Sequence, residues 1–181
     1  MSAEDDRHSA RNASATDDCK NSKSGAYLDA QISLTGDNAG FAGQVYVHTF
    51  GHLALGHVNA AGAPEALVPN KIRIGTNGRL AVEKGTTVNA NCGITVEGEG
   101  ARLVARTYAR AGVDDCSEYE LPMPITGDYG LEKVGSGSVK LSGTYSAGNL
   151  VVSEGTLQLA TGFSCAPSLA ITVKSGATLT I

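Results

Sequence analysis

A short phrase recurs along most of this chain: glycine, a spacer, and then two apolar residues separated by one residue. It occurs three times in GSGSVKLSGTYSAGNLVVSEGTLQL, residues 135–159. Alternate side chains of a β-strand point to opposite faces, so the two apolar residues of each phrase share a face. Glycine adopts turn conformations that other residues reach only with strain. Each phrase therefore predicts a turn followed by a short strand.

The phrase recurs along most of the sequence that follows the polar N-terminal residues. It begins at Gly43, Gly51, Gly78, Gly137, Gly148 and Gly155, and with one extra spacer at Gly100 and Gly176. One such strand cannot bury its apolar face alone, whereas stacked copies can build a continuous interior. We therefore expect an all-β solenoid segment with several strands per repeat and loops of variable length.

Composition agrees with this expectation and excludes some partners. Aromatic residues make up 5% of the 181 residues and tryptophan is absent, so the core has to consist of valine, leucine, isoleucine and alanine. A net charge of -4 provides no basic field for nucleic acid. No apolar run is long enough to span a bilayer, so we expect no membrane insertion by this segment.

The sequence divides into a polar tail, a repeat segment and one insertion. Residues 1–25 are polar and nearly free of large apolar side chains, which predicts a disordered tail. Residues 26–181 carry the repeat, interrupted at about 105–124 by a loop that does not follow it. The N-terminus has no apolar segment typical of a secretory signal. We expect the chain to be a fragment of a longer protein, with exposed end strands that favour self-association.

Two longer stretches match each other. LTGDNAGFAGQVYVHTFGHLALG (residues 34–56) and LSGTYSAGNLVVSEGTLQLATG (residues 141–162) share Leu-x-Gly, a polar turn, and two successive glycine-led strand phrases. The match predicts two copies of one supersecondary unit.

These residues resemble the autotransporter-associated β-strand repeat found in passenger domains of bacterial surface and secreted proteins. The most similar stretches are ITGDYGLEKVGSGSVKLSG with NLVVSEGTLQL, and LTGDNAGFAGQVYV with GHLALGHVNAAGA. The resemblance implies a right-handed parallel β-helix, located outside the cell or at the bacterial cell surface. It also implies a non-enzymatic role as a structural stalk, a transport-supporting spacer or an adhesive surface.

The insertion contains the acidic residues Asp114, Asp115, Glu118 and Glu120. Excursions from a solenoid often carry its binding or catalytic residues. Such acids can hold a hard cation or act as a carboxylate pair in sugar chemistry. The alternative is a solvated polar loop, because no basic or histidine partner accompanies the acids. A carbohydrate-binding or polysaccharide-degrading β-helix that uses this loop is therefore the second functional hypothesis.

Two cysteines, Cys92 and Cys116, bracket the start and middle of the excursion. In an oxidising compartment a disulfide between them would tie the loop to the repeat and stabilise the fold by roughly 2–4 kcal/mol. Two unpaired thiols are the alternative.

Other chemistry is not indicated. His48, His52 and His57 are separated by predicted turns and strands, so we expect no metal site. Nucleophile and phosphate-loop motifs are missing, and we predict no enzymatic activity and no cofactor. The middle residues of four strand phrases are expected to line one long exposed face that contacts a surface glycan or a host protein: Tyr46, Ala54, Lys140 and Gln158.

Overall fold

The computed structural model describes residues 31–106 and 115–181, which form β-strands and turns without any helix. Within these ranges no helix is therefore long and apolar enough to cross a membrane. The strands are β1 Ile32–Leu34, β2 Val45–Val47, β3 His52–Leu55, β4 Val68–Ile74, β5 Arg79–Val82, β6 Cys92–Val96, β7 Arg102–Val104, β8 Glu118–Leu121, β9 Ile125–Gly127, β10 Leu131–Val134, β11 Ser138–Leu141, β12 Thr144–Ser146, β13 Leu150–Val152, β14 Thr156–Leu159, β15 Ser164–Cys165, β16 Ile171–Val173 and β17 Thr178–Thr180.

These strands form three parallel sheets. Sheet A has the order β1-β3-β5-β7-β10-β13-β16. Sheet B has the order β15-β12-β9-β6-β4-β2, and sheet C has the order β17-β14-β11-β8. The all-β prediction is confirmed, and the strand pairs of all three sheets in the described ranges are parallel.

From β7 onward the chain visits the sheets in a fixed order, A, then C, then B. We call three successive strands of this series, one from each sheet, a repeat unit. The register between units is regular in sheet A, where Leu131 lies beside Leu150 and Leu150 lies beside Ile171. Neighbouring strands of a sheet are thus about 20–30 residues apart in sequence, within the usual range for structural repeats.

All eight glycine-led phrases end in a strand, as predicted. We expected glycine at these positions because it adopts turn conformations, but at most of the eight positions the backbone does not require this. Of the eight glycines that begin a phrase, only Gly100, Gly155 and Gly176 have a positive φ. At Gly137 the constraint is close approach, since a Cβ there would lie 2.1 Å from the carbonyl oxygen of Ser117. At Gly137, glycine is therefore required by the close approach of a neighbouring backbone and not by a turn conformation.

The two self-matching stretches do not occupy equivalent places. The phrase at Gly43 forms β2 in sheet B, whereas its match at Gly148 forms β13 in sheet A. Likewise, the phrase at Gly51 forms a strand of sheet A and its match at Gly155 forms one of sheet C. The prediction of two copies of one supersecondary unit is therefore wrong, because an alternating strand phrase suits any of the three sheets.

The main core consists of the inward residues of all three sheets. Leu80, Ile94 and Leu103 are fully buried in it, together with Val139 of sheet C. Burial of such side chains contributes about 25 cal/mol per Å² of apolar surface. Valine, leucine, isoleucine and alanine dominate the cluster, as the composition predicted.

Two lysine side chains are also buried. The ammonium of Lys133 on β10 donates to the carbonyl oxygens of Gly135 and Gly137 at 2.5 Å, and to that of Glu154 at 2.8 Å. Lys71 on β4 donates to the carbonyl oxygens of Phe41 and Gly43 at 2.7 and 2.6 Å. Burial lowers the pKa of Lys133 to about 8, against the raising effect of the Glu154 charge. Its ammonium remains mostly charged at neutral pH.

The four middle residues expected to share one exposed face do not. Tyr46 belongs to sheet B, Ala54 to sheet A, and Lys140 and Gln158 to sheet C. Ala54 is fully buried, because it packs in a small cluster with Ala81, Val104 and Cys116. We call this set the outer cluster, since its strand members alternate with residues of the main core.

The insertion is shorter than the sequence suggested. Glu118–Leu121, which was expected to be part of the loop, is strand β8 of sheet C and pairs with β11. Its Tyr119 and Leu121 point into the main core. The predicted disordered tail at 1–25 lies outside the described residues.

Candidate functional site

The acidic residues of the insertion are separated by their local structure. Asp114 lies outside the described residues. The Oδ1 atom of Asp115 accepts a hydrogen bond from the backbone nitrogen of Ser117 at 2.9 Å, and its carbonyl oxygen accepts one from the backbone nitrogen of Lys84 at 2.6 Å. Asp115 therefore shapes the turn that leads into β8.

Glu118 and Glu120 share the outer face of β8, two residues apart. Glu120 accepts a short hydrogen bond from the Ser142 hydroxyl and pairs with the Lys140 ammonium at 3.0 Å. The hydrogen bonds from Ser142 and Lys140 lower the pKa of Glu120. An ionised, paired carboxylate accepts hydrogen bonds but does not act as a general acid at neutral pH. The carbohydrate role of the insertion acids stays a prediction.

The two cysteines of the predicted disulfide lie in different apolar clusters. Cys92 has a free thiol in the main core, and its Sγ donates to the carbonyl oxygen of Gly62 at 3.6 Å. Burial raises the pKa of this thiol, partly offset by the charge of Lys71. Cys116 packs in the outer cluster. No bridge joins Cys92 to Cys116 in this structure, because their side chains pack in separate clusters.

The three histidines have separate environments. His48 is exposed and meets the Tyr46 ring edge-on with centroids 5.3 Å apart, whereas His52 is buried on β3. The Nδ1 atom of His57 accepts a hydrogen bond from the backbone nitrogen of Asn59 at 3.1 Å. Among residues 31–106 and 115–181, no three His, Cys, Asp or Glu side chains are grouped to hold a metal ion.

An open surface groove lies on sheet A, and the sequence did not predict it. It encloses about 430 Å³ where β7, β10, β13 and β16 lie side by side. This volume is within the range of small-molecule sites in proteins. The residues that line it come from β10, β13 and β16, from the turn before β7 and from other turns next to these strands: Glu99, Gly100, Ala101, Tyr129, Gly130, Leu131, Glu132, Asn149, Val151, Thr172 and Lys174.

The parallel register of sheet A explains why these residues meet. Glu132 lies beside Arg102 on one side and beside Val151 on the other. Val151 in turn lies beside Thr172. Residues from three neighbouring strands and from the turn before β7 therefore form one continuous surface, although about 75 positions separate the ends of the set in sequence.

Glu132 is the electrostatic centre of the groove. Its Oε2 accepts from the Arg102 guanidinium at 3.0 Å, and its Oε1 accepts from the Lys174 ammonium at 3.0 Å and from the Ser153 hydroxyl. Burial alone would raise the pKa of Glu132, but hydrogen bonds from Ser153, Lys174 and Arg102 outweigh it and lower the pKa to about 2. Glu132 is a fixed anion and hydrogen-bond acceptor at every physiological pH.

This shift predicts an acid-dependent loss of stability. The pKa of Glu132 is below its ordinary value in the folded state, so its contribution is fully present above about pH 4.5 and is lost as the pH falls toward about 2. We expect Glu132→Gln to lower the free energy of unfolding by about 1 kcal/mol at pH 7, since solvent screens a partly exposed network. Urea unfolding of both chains between pH 2 and pH 7 measures the difference. A difference that does not shrink in acid would contradict the assignment.

One sequence signal could have indicated the groove. Tyr129 is one of the few aromatic residues of the chain, lies in the turn before β10 and is 40% exposed. Glu99 and Asn149, in contrast, are ordinary turn residues in the sequence. Only the register of sheet A shows that they lie on the same surface as Tyr129.

No protein-family model matches the chain, and neither a curated protein nor a solved structure shows significant similarity to it.

Proposed function

We propose that Gln31–Ile181 is a parallel β-helix that acts as a non-enzymatic module of an extracellular or cell-surface protein. In this role it serves as a structural stalk, a transport-supporting spacer or an adhesive surface of the autotransporter passenger type. The observation that carries the proposal is the strand path, in which three successive repeat units from β7 to β15 visit sheets A, C and B in the same order. A chain that returns to each sheet in turn is the path of a solenoid.

The interior of the repeat units favours a mechanical role. The inward residues Leu131, Val139 and Tyr145 of one unit are almost fully buried. The counterparts of Leu131 and Val139 one unit later, Leu150 and Leu157, are equally buried. In sheets A and C the units thus bury their apolar faces in the same way, which lets such an array change length without changing its packing.

The outer faces favour a non-enzymatic role. The carboxylates of Glu120 and Glu132 are paired with cations, and both have a lowered pKa. A general acid needs the opposite shift, toward neutral pH. Ion pairs on these faces favour a solvated surface or a contact surface.

Removal of one complete repeat unit tests the proposal. Deletion of residues 131–149 takes out β10, β11 and β12, one strand from each sheet. Because Glu132 has Arg102 and Val151 as neighbours, the deletion would place Val151 beside Arg102 without a shift of register. We expect this variant to keep its β-type circular dichroism and to unfold in urea in a single cooperative transition.

Deletion of residues 131–140 is the matched control. It removes β10 and most of β11 but keeps β12, so the next strands would reach the wrong sheets. We expect this shorter deletion to abolish cooperative unfolding. For the transport role, both chains would be fused to a signal sequence and an outer-membrane translocator, and surface exposure measured by protease accessibility. Equal display of the two deletions, or equal loss of both, would overturn the proposal.

A further inference from the structure

The groove on sheet A has the volume of a small-molecule site, and its exposed lining is mostly apolar with a few polar groups. One of its walls carries Tyr129, an exposed aromatic side chain, and Val151 adds apolar surface. Hydrogen-bonding side chains complete the lining, with the carboxylates of Glu99 and Glu132 as acceptors and Lys174 as a donor. The side chains of Asn149 and Thr172 can both donate and accept hydrogen bonds. A ligand that fits must therefore present an apolar face and several groups that donate and accept.

The charges of the groove disfavour an anionic ligand. Its cationic groups, Lys174 and the adjacent Arg102, are both paired with Glu132 at 3.0 Å. Glu99 adds a further carboxylate to the lining. A sulfated, sialylated or phosphorylated ligand would meet this carboxylate and would compete with Glu132 for the two cations, so a neutral ligand is favoured.

The groove is also held in a fixed shape. Part of its lining lies on the adjacent strands β10, β13 and β16 of one sheet, and three side chains fix the Glu132 carboxylate: Arg102, Ser153 and Lys174. A binding surface that is ordered before the ligand arrives loses less conformational entropy on binding.

We propose that this groove binds a neutral saccharide of one or two sugar units. Pyranose rings have an apolar C–H face that packs on an aromatic ring, and hydroxyl groups that both donate and accept hydrogen bonds. The ring of Tyr129 takes the C–H face, and Glu99 and Asn149 bind the hydroxyl groups. The site is separate from the insertion acids, and it does not depend on the stalk or spacer role.

A glycan array probed with the full chain tests the proposal. The array carries neutral mono- to tetrasaccharides beside their sialylated and sulfated counterparts, and isothermal titration then measures the Kd of the neutral glycan retained most strongly. We expect selective retention of neutral glycans. Tyr129→Ala should weaken binding about tenfold or more, whereas Tyr129→Phe, which keeps the ring, should stay within about threefold of wild type.

Tyr46→Ala is the matched control. Tyr46 is exposed to a similar extent, 46%, but lies on sheet B and does not line the groove. Its removal should leave the Kd unchanged, and every variant should keep the β-type circular dichroism of the wild type. The proposal is overturned by a folded chain that retains no neutral glycan, or by retention that Tyr129→Ala leaves intact. Loss of binding in an Asp115→Ala/Glu118→Ala chain alone would assign the sugar to the insertion instead.

Discussion

Replacing Lys133 by alanine is expected to lower the free energy of unfolding by roughly 3–5 kcal/mol, because three carbonyl oxygens lose the charged donor that a buried side chain supplies. The side chain is fully buried, and its ammonium bonds the carbonyls of Gly135, Gly137 and Glu154. Glu154 belongs to the turn of the next repeat unit, so the lysine joins two units as well as filling space. Urea unfolding monitored by circular dichroism measures the change.

Lys140 provides the matched comparison. It lies on the outer face of β11, 40% exposed, where its ammonium pairs with Glu120. Removal of an exposed ion pair costs about 0–1 kcal/mol, so we expect Lys140→Ala to be nearly neutral. Lys133→Met keeps most of the side-chain volume, so its loss of unfolding free energy should fall between those of Lys133→Ala and Lys140→Ala. The comparison separates the contribution of packing from that of hydrogen bonding. Similar values for Lys133→Ala and Lys140→Ala would mean that the buried ammonium does not hold the turns together.

The second large effect is expected at Gly127, the last residue of β9. Its φ is +127°, a backbone conformation that side-chain-bearing residues rarely adopt. A Cβ there would also lie 2.2 Å from the carbonyl oxygen of Val96, its partner on β6. Backbone strain and the forced separation of two paired strands together should make Gly127→Ala cost roughly 3–5 kcal/mol.

Two other glycines separate these contributions. Gly85 has a φ of +82° but open space around its Cα, so Gly85→Ala should show the strain alone, about 1 kcal/mol. Gly40 has neither constraint, and Gly40→Ala should change stability by less than about 0.5 kcal/mol. The three chains are compared by urea midpoint in the same buffer. The steric explanation fails if Gly127→Ala unfolds at the same midpoint as Gly85→Ala.

The strand positions were predictable because their signal is local. Every glycine-led phrase became a strand, and the composition of the main core follows from which residues occupy alternate positions. Because the signal is local, it also led to the wrong prediction that the two self-matching stretches are copies of one supersecondary unit. A strand of four residues carries the same inside and outside pattern in any sheet, so similarity between phrases says nothing about which sheet each joins.

The candidate site was less predictable than the strands. The sequence directed attention to Asp115, Glu118 and Glu120 in the insertion, where acidic residues are adjacent in the chain. In the structure, Asp115 shapes a turn and Glu120 is paired with Lys140. The groove draws on residues far apart in sequence, and their proximity depends on the lateral register of sheet A.

By itself, the sequence determined that this protein is all-β, where its strands begin, and which apolar side chains can form a core, because these properties depend on residues within a few positions of one another. Only the tertiary structure decided which sheet each strand joins. It also decided that Ala54 is covered by Cys116, that Lys133 finds carbonyl partners inside, and that Tyr129 and Glu132 line one groove. These facts depend on which segments lie side by side, and a repeat whose units resemble one another leaves that choice to packing and backbone pairing.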